Sequence, residues 1–153
     1  MCLASVVLAG CGSTKDPEPT PTPEPTSIPE PTATAVPEAA LGDVAWSTAI
    51  TSSGAPDDEL DTFFREEDVI YASVEATNLK AGDSLAATWS INGMPIDGAS
   101  STVTIESDTP SGWASFSLTW NGAALWPTGT LEVMIASSTG LTATGSIPIV
   151  SGQ

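Results

Sequence analysis

Histidine is absent from the 153 residues, and the two cysteines, Cys2 and Cys11, both fall within the first eleven positions. Beyond them neither a disulfide nor a thiolate or imidazole metal site can hold the chain together. The missing histidine also removes the usual general base, so a hydrolytic triad has no centre. Only Lys15, Arg65 and Lys80 are basic. A Ser–Lys dyad would have to use Lys80, which stands in an apparent turn beside Ala81-Gly82. Long apolar runs are lacking too. The N-terminal one falls far short of the ~20 residues that span a bilayer. An enzyme is not expected from such a chain.

What is abundant is negative charge. Nineteen acids against three bases give a net charge of −16. Five acids (Asp16, Glu18, Glu24, Glu30, Glu38) and Lys15 lie in an N-terminal tail, and the remaining residues carry fourteen acids against Arg65 and Lys80, a net of −12. That surface repels phosphate backbones, which excludes nucleic acid as a partner, and it repels anionic lipid as well.

Between Gly12 and Ala39 stand eight of the thirteen prolines, at positions 17, 19, 21, 23, 25, 29, 31 and 37, among Thr and Glu. Proline so spaced denies helix and sheet hydrogen bonds and favours polyproline II. We read residues 11–39 as a disordered spacer, whose 28 residues from 12 onward reach roughly 85 Å when fully extended at about 3.1 Å each.

After Leu41 the composition changes to short runs with a period of two. Val44, Trp46, Thr48 and Ile50 share a face, as do Ile70, Ala72, Val74 and Ala76; Leu85, Ala87, Trp89 and Ile91 follow, then Asn92-Gly93, a hairpin signal. Met94–Ile96 reads as an edge piece, Val103 and Ile105 mark a strand, and Ala114, Phe116 and Leu118 another ending at an Asn121-Gly122 turn. Leu131, Val133 and Ile135 precede a last strand over Leu141–Val150, which Pro148 confines to an edge or an irregular place. A weak helical period near Asp57–Glu67 allows one turn of helix. Seven or so short strands in about 110 residues predict an all-β antiparallel sandwich over residues 40–153, large enough for a core without staples. Hydrolysis of a glycoside by paired carboxylates needs a cleft that so small a sandwich rarely offers.

Two features offer binding chemistry. The loop Asp57-Asp58-Glu59-Leu60-Asp61, with Glu66-Glu67-Asp68 beyond it, is either a solvated acidic loop or a Ca²⁺ site with Asp57, Asp58, Asp61 and Asp68 as ligands. Five tryptophans form the second. Trp46 and Trp89 hold inward positions. Trp113 and Trp120 are harder to bury: they either cap the sandwich edge or, as exposed and coplanar indoles, stack on sugar rings or a partner's apolar pocket.

Two resemblances complete the reading. Leu8-Ala9-Gly10-Cys11, after the apolar Leu3–Val7, resembles the lipobox of bacterial lipoproteins. The resemblance implies that residues 1–10 are a signal peptide, removed before a lipidated Cys11. Met1–Gly10 has no basic residue and is short for a leader, so the reading expects its true start upstream. Two or more acyl chains would hold the protein stably at the membrane. The region from Trp46 to Val150 looks like the small immunoglobulin-like modules of bacterial surface lipoproteins. The residues that carry this are Phe63 or Phe64, Ile70-Tyr71-Ala72, Trp89, and Trp126-Pro127-Thr128-Gly129 before Leu131-Glu132-Val133. Those modules often carry an aromatic where Leu131 stands. The resemblance implies an extracytoplasmic, lipid-anchored, non-catalytic module meeting an envelope protein or polysaccharide. The alternative is a carbohydrate- or ligand-capturing lipoprotein that uses Trp113, Trp120 and the acidic loop.

Overall fold

The computed structural model describes residues 36–120 and 125–152, which belong to one compact unit, Ala35–Gln153. The leader, Cys11, the spacer as far as residue 35 and the Asn121-Gly122 turn lie outside the described residues.

Nine strands and no helix form among the described residues. They are β1 (Ala40–Ser47), β2 (Phe63–Phe64), β3 (Val69–Leu79), β4 (Ser84–Ile91), β5 (Met94–Pro95), β6 (Ser101–Thr104), β7 (Thr109–Thr119), β8 (Gly129–Ser137) and β9 (Thr142–Val150). One sheet has the order β1-β3-β7. The other runs β2-β9-β8-β4-β5, with β6 also pairing β4. All pairings are antiparallel except β2 on β9, which is parallel.

Period-two alternation turns one face of each long strand inward. Ile70, Ala72, Val74 and Ala76 of β3 and Ala114, Phe116 and Leu118 of β7 meet Leu85, Ala87, Trp89 and Ile91 of β4 and Leu131, Val133 and Ile135 of β8 across the interior. Each large apolar side chain so buried contributes about 1.5–3 kcal/mol. Trp46 and Trp89 pack at the centre with ring centroids 6.0 Å apart, tilted by 59°. The sheets come closest where β1 passes β9. A Cβ on Gly145 would lie 2.6 Å from that of Val44, so any side chain there forces β1 away.

Two expectations are corrected. The first strand stops at Ser47 and does not continue to Ile50, which is 38% exposed and bridges to Pro56. The chain leaves the sheet there to lay residues 48–61 over its outer face. No helix forms between Asp57 and Glu67, where a single turn bonds Glu67 N to Phe64 O at 3.1 Å. Phe63 is wholly buried, and anchoring it extends the backbone into β2 alongside Ile149 and Val150. Pro148 behaves as its ring requires. β8 covers one side of β9 throughout, whereas β2 joins the other side only at Ile149 and Val150.

The chain enters the sandwich at Ala40, opposite Thr77, near the start of β4 and β7. The far end holds the finish of β1, β4, β7 and β9. The eleven residues of β7 put these ends about 35 Å apart at ~3.3 Å per residue.

Candidate functional site

The acidic loop is built first by its own backbone. Thr51 N donates to Ala55 O at 2.9 Å, Gly54 N to Thr51 O at 3.0 Å and Asp57 N to Ala49 O at 3.1 Å, while Leu60 N closes the loop on Trp46 O at 2.8 Å. A patch of hydroxyls on the sheet receives it. Ser115 Oγ donates to the Gly54 carbonyl and lies 3.0 Å from Ser73 Oγ, and Ser73 is fully buried beneath the loop. This packing turns Asp57, Asp58, Glu59 and Asp61 outward into solvent, as Asp68 is at the far end. Among the described residues no three Asp, Glu, His or Cys side chains gather where a metal ion could sit. The four candidate calcium ligands are therefore not brought together.

Trp113 and Trp120 both lie at the half-buried level, Trp113 within β7 and Trp120 one residue past its end at Thr119. Seven residues apart is an odd number, so β7 turns Trp113 outward while Trp120 keeps the inward phase of Ala114, Phe116 and Leu118. They do not form one platform. Trp113 borders a concavity of about 250 Å³ with Asp43, Glu59 and Glu75. Glu75 accepts a hydrogen bond from Ser111 Oγ at 3.0 Å.

Trp120 belongs to a different structure. Its ring stacks on Trp126 at 5.2 Å and 30°, and Trp126 meets Phe63 edge-on at 5.3 Å. Trp126 is 1% exposed, and its Nε1–H donates to the Glu67 carbonyl at 2.8 Å, so the indole is both buried and satisfied. Beside this cluster, Asn92 ties the β4–β5 turn to the start of β8. Asn92 N donates to Thr130 O at 2.8 Å, Thr130 N donates to Asn92 Oδ1 at 2.9 Å, and Asn92 Nδ2 donates to Thr128 O at 3.4 Å. Gly129 has a φ of 141°, and a Cβ there would stand 2.1 Å from Asn92 Oδ1. The Trp-Pro-x-Gly sequence thus reads as an anchor followed by a gap for the asparagine.

Together these residues frame an apolar concavity of about 280 Å³ lined by Ile91, Asn92, Met94, Pro95, Ile96, Trp120 and Pro127. Sequence reasoning missed it because its walls come from three separate segments. The only local signal was Met-Pro directly after the Asn-Gly turn, where a polar hairpin tip is usual. A larger concavity of about 740 Å³ lies on the outer face of the larger sheet, among Thr88, Ser90, Glu132, Met134, Thr144 and Ser146.

Lys80 sits at the entry end, its ammonium 3.1 Å from Asp108 with both side chains about two-thirds exposed (66% and 65%). The Ala81 amide bonds the same carboxylate at 3.0 Å, and that backbone bond, with Lys80 beside it, holds Asp108 below its ordinary value. Lys80 is engaged as an ion-pair partner there.

Compared with known protein families and with curated proteins, the chain matches none.

Proposed function

We propose that this chain is a membrane-anchored extracytoplasmic lipoprotein, lipidated on Cys11, whose proline-rich segment carries a non-catalytic immunoglobulin-like sandwich used as an interaction or structural module. The observation that carries the reading is the order of segments: Leu8-Ala9-Gly10-Cys11, then eight prolines in the spacer, then a compact two-sheet unit. The strand order supports the finer fold. With β1, β3, β4, β7, β8 and β9 read as strands A, B, C, E, F and G, the sheets become A-B-E and G-F-C. Trp89 on β4 is buried, as an indole on strand C of that fold would be. The sequence departs from the antibody pattern in two ways. Trp46 stands against Trp89 where a disulfide would otherwise pack, and Leu131, fully buried, makes an apolar corner.

Mass spectrometry of the mature N-terminus tests the anchor. The expected product starts at Cys11 and carries acyl mass, and Cys11→Ser leaves the protein unprocessed and released from membranes. Normal processing and membrane retention of Cys11→Ser would refute the proposal.

A further inference from the structure

We infer that the far end of the sandwich is a docking site for a cationic polypeptide, which seats one apolar side chain in the concavity between Met94, Ile96, Trp120 and Pro127. The inference deepens the display reading and rests on it for the claim that this end is presented to partners. Three observations carry it. The first is position. Asn78 Nδ2 donates to the Glu38 carbonyl at 3.0 Å, so the incoming chain is held at the opposite end, and whatever precedes it attaches there. The concavity lies at the end away from that entry.

The second is an apolar surface left in water, its walls held by packing and hydrogen bonds. Met94 is 68% exposed at the rim, whereas the walls are fixed from behind by the Trp120–Trp126 stack and by the bonds of Asn92 to Thr128 and Thr130. A preformed pocket spares a partner the ordering cost of making one. At about 280 Å³ it falls just below the range of small-ligand sites, roughly 300–1,000 Å³, and suits one or two inserted side chains.

The third is charge. Asp97 follows Ile96 directly, and Glu66, Glu67 and Asp68, against the single cation Arg65, adjoin the Trp120–Trp126 pair, whose backbone and indole donors bond the Arg65, Glu67 and Asp68 carbonyls. A second copy brings the same net −12, and anionic lipid is negative too, so the complementary partner is one rich in Lys and Arg.

The test titrates the full chain against short labelled peptides with a central Leu, Phe or Trp between lysines, read by fluorescence anisotropy. Controls replace the lysines by glutamates or the central residue by Ala. At least one lysine-flanked peptide is expected to bind, both controls about tenfold more weakly or worse, with affinity falling as salt rises. Met94→Arg, at an exposed position that does not hold the fold, should lose about tenfold or more, while Met134→Arg on the outer sheet face leaves binding unchanged. Four results overturn the inference: no binding at millimolar peptide, equal binding by Met94→Arg, equal loss in both variants, or capture of oligosaccharide or a second copy in place of peptide. Binding is measured free in solution, so it fails or succeeds whatever Cys11 carries, and the mass of the N-terminus judges the anchor separately.

Discussion

The two ends of the sandwich solve the same problem with different chemistry. Each must close a sheet-on-sheet core against water. At the entry end the buried Leu79 and Leu85 are ringed by polar contacts. Lys80 N bonds Asp83 Oδ2 at 2.8 Å, Ser84 N bonds Ser138 Oγ at 3.0 Å, and Asp108 joins Lys80 and Ala81. At the far end aromatic rings do it, with Phe63, Trp120 and Trp126 stacked or edge-on across strand ends. Exposed hydrogen bonds and ion pairs compete with water and are worth little each, whereas a buried indole carries a large apolar area. A buried indole is thus the largest single closing side chain at the far end, where the entry end divides its closure between aliphatic side chains and exposed polar contacts.

The strongest way to break that comparison is Trp126→Ala. Removing a side chain that is 1% exposed and bonded to Glu67 O should cost about 3–5 kcal/mol, because the cavity adds to the lost transfer energy and a carbonyl loses its donor. Urea denaturation followed by far-UV circular dichroism measures it. A loss no larger than that of an exposed substitution, about 0.5 kcal/mol, would mean that this indole is not the main closure of the far end.

Much of this architecture could be read from alternation alone. The inward faces of β3, β4, β7 and β8 follow from every second residue being apolar, because the pleat turns that period directly into burial. The same arithmetic separates Trp113 from Trp120, which an eye drawn to exposed indoles passes over. What alternation does not carry is what lies across a strand's other face. Ser73 is polar and in the outward phase, yet it is fully buried, because residues 48–61 cover it. Two-residue strands escape for another reason: Phe63-Phe64 is too short to show a period and sits within an acidic stretch. The far-end concavity needs Asn92, Trp120 and Pro127 brought together by tertiary structure, so no window of sequence contains it. The acidic loop shows the converse. Its charges are legible, but their dispersal into solvent follows from how the loop packs.

A middle-sized effect sharpens the account of the Trp-Pro-x-Gly turn. Gly129→Ala places a methyl against Asn92 and asks an L residue to hold φ at 141°, so it should destabilise by about 1–3 kcal/mol. Asn92→Gly removes the clash partner while tolerating that residue's own positive φ of 52°. The double variant Asn92→Gly/Gly129→Ala should therefore lose less than the two single losses combined. Additive losses would assign the requirement for glycine to backbone strain alone.

The smallest expected effect concerns the entry end and its response to acid. The Ala81 amide and then Lys80 hold the Asp108 carboxyl below its ordinary value of 3.8, so the folded state favours the ionised form. A depressed folded value means that the contribution is present above the unfolded value and fades as pH falls through the folded one. Thermal unfolding of the parent and of Asp108→Asn, compared from neutral pH downward, should show a small deficit in the variant that closes once the solution is more acidic than the ordinary carboxylate range. High salt should narrow the same gap at neutral pH, since the pair stands in open solvent. The deficit of Trp126→Ala rests on apolar burial and on a bond to a backbone carbonyl, neither of which titrates, so that deficit should survive both treatments. A gap at Asp108 that ignored acid and salt would show that its contribution is not electrostatic, and the contrast between the two ends would lose its chemical basis.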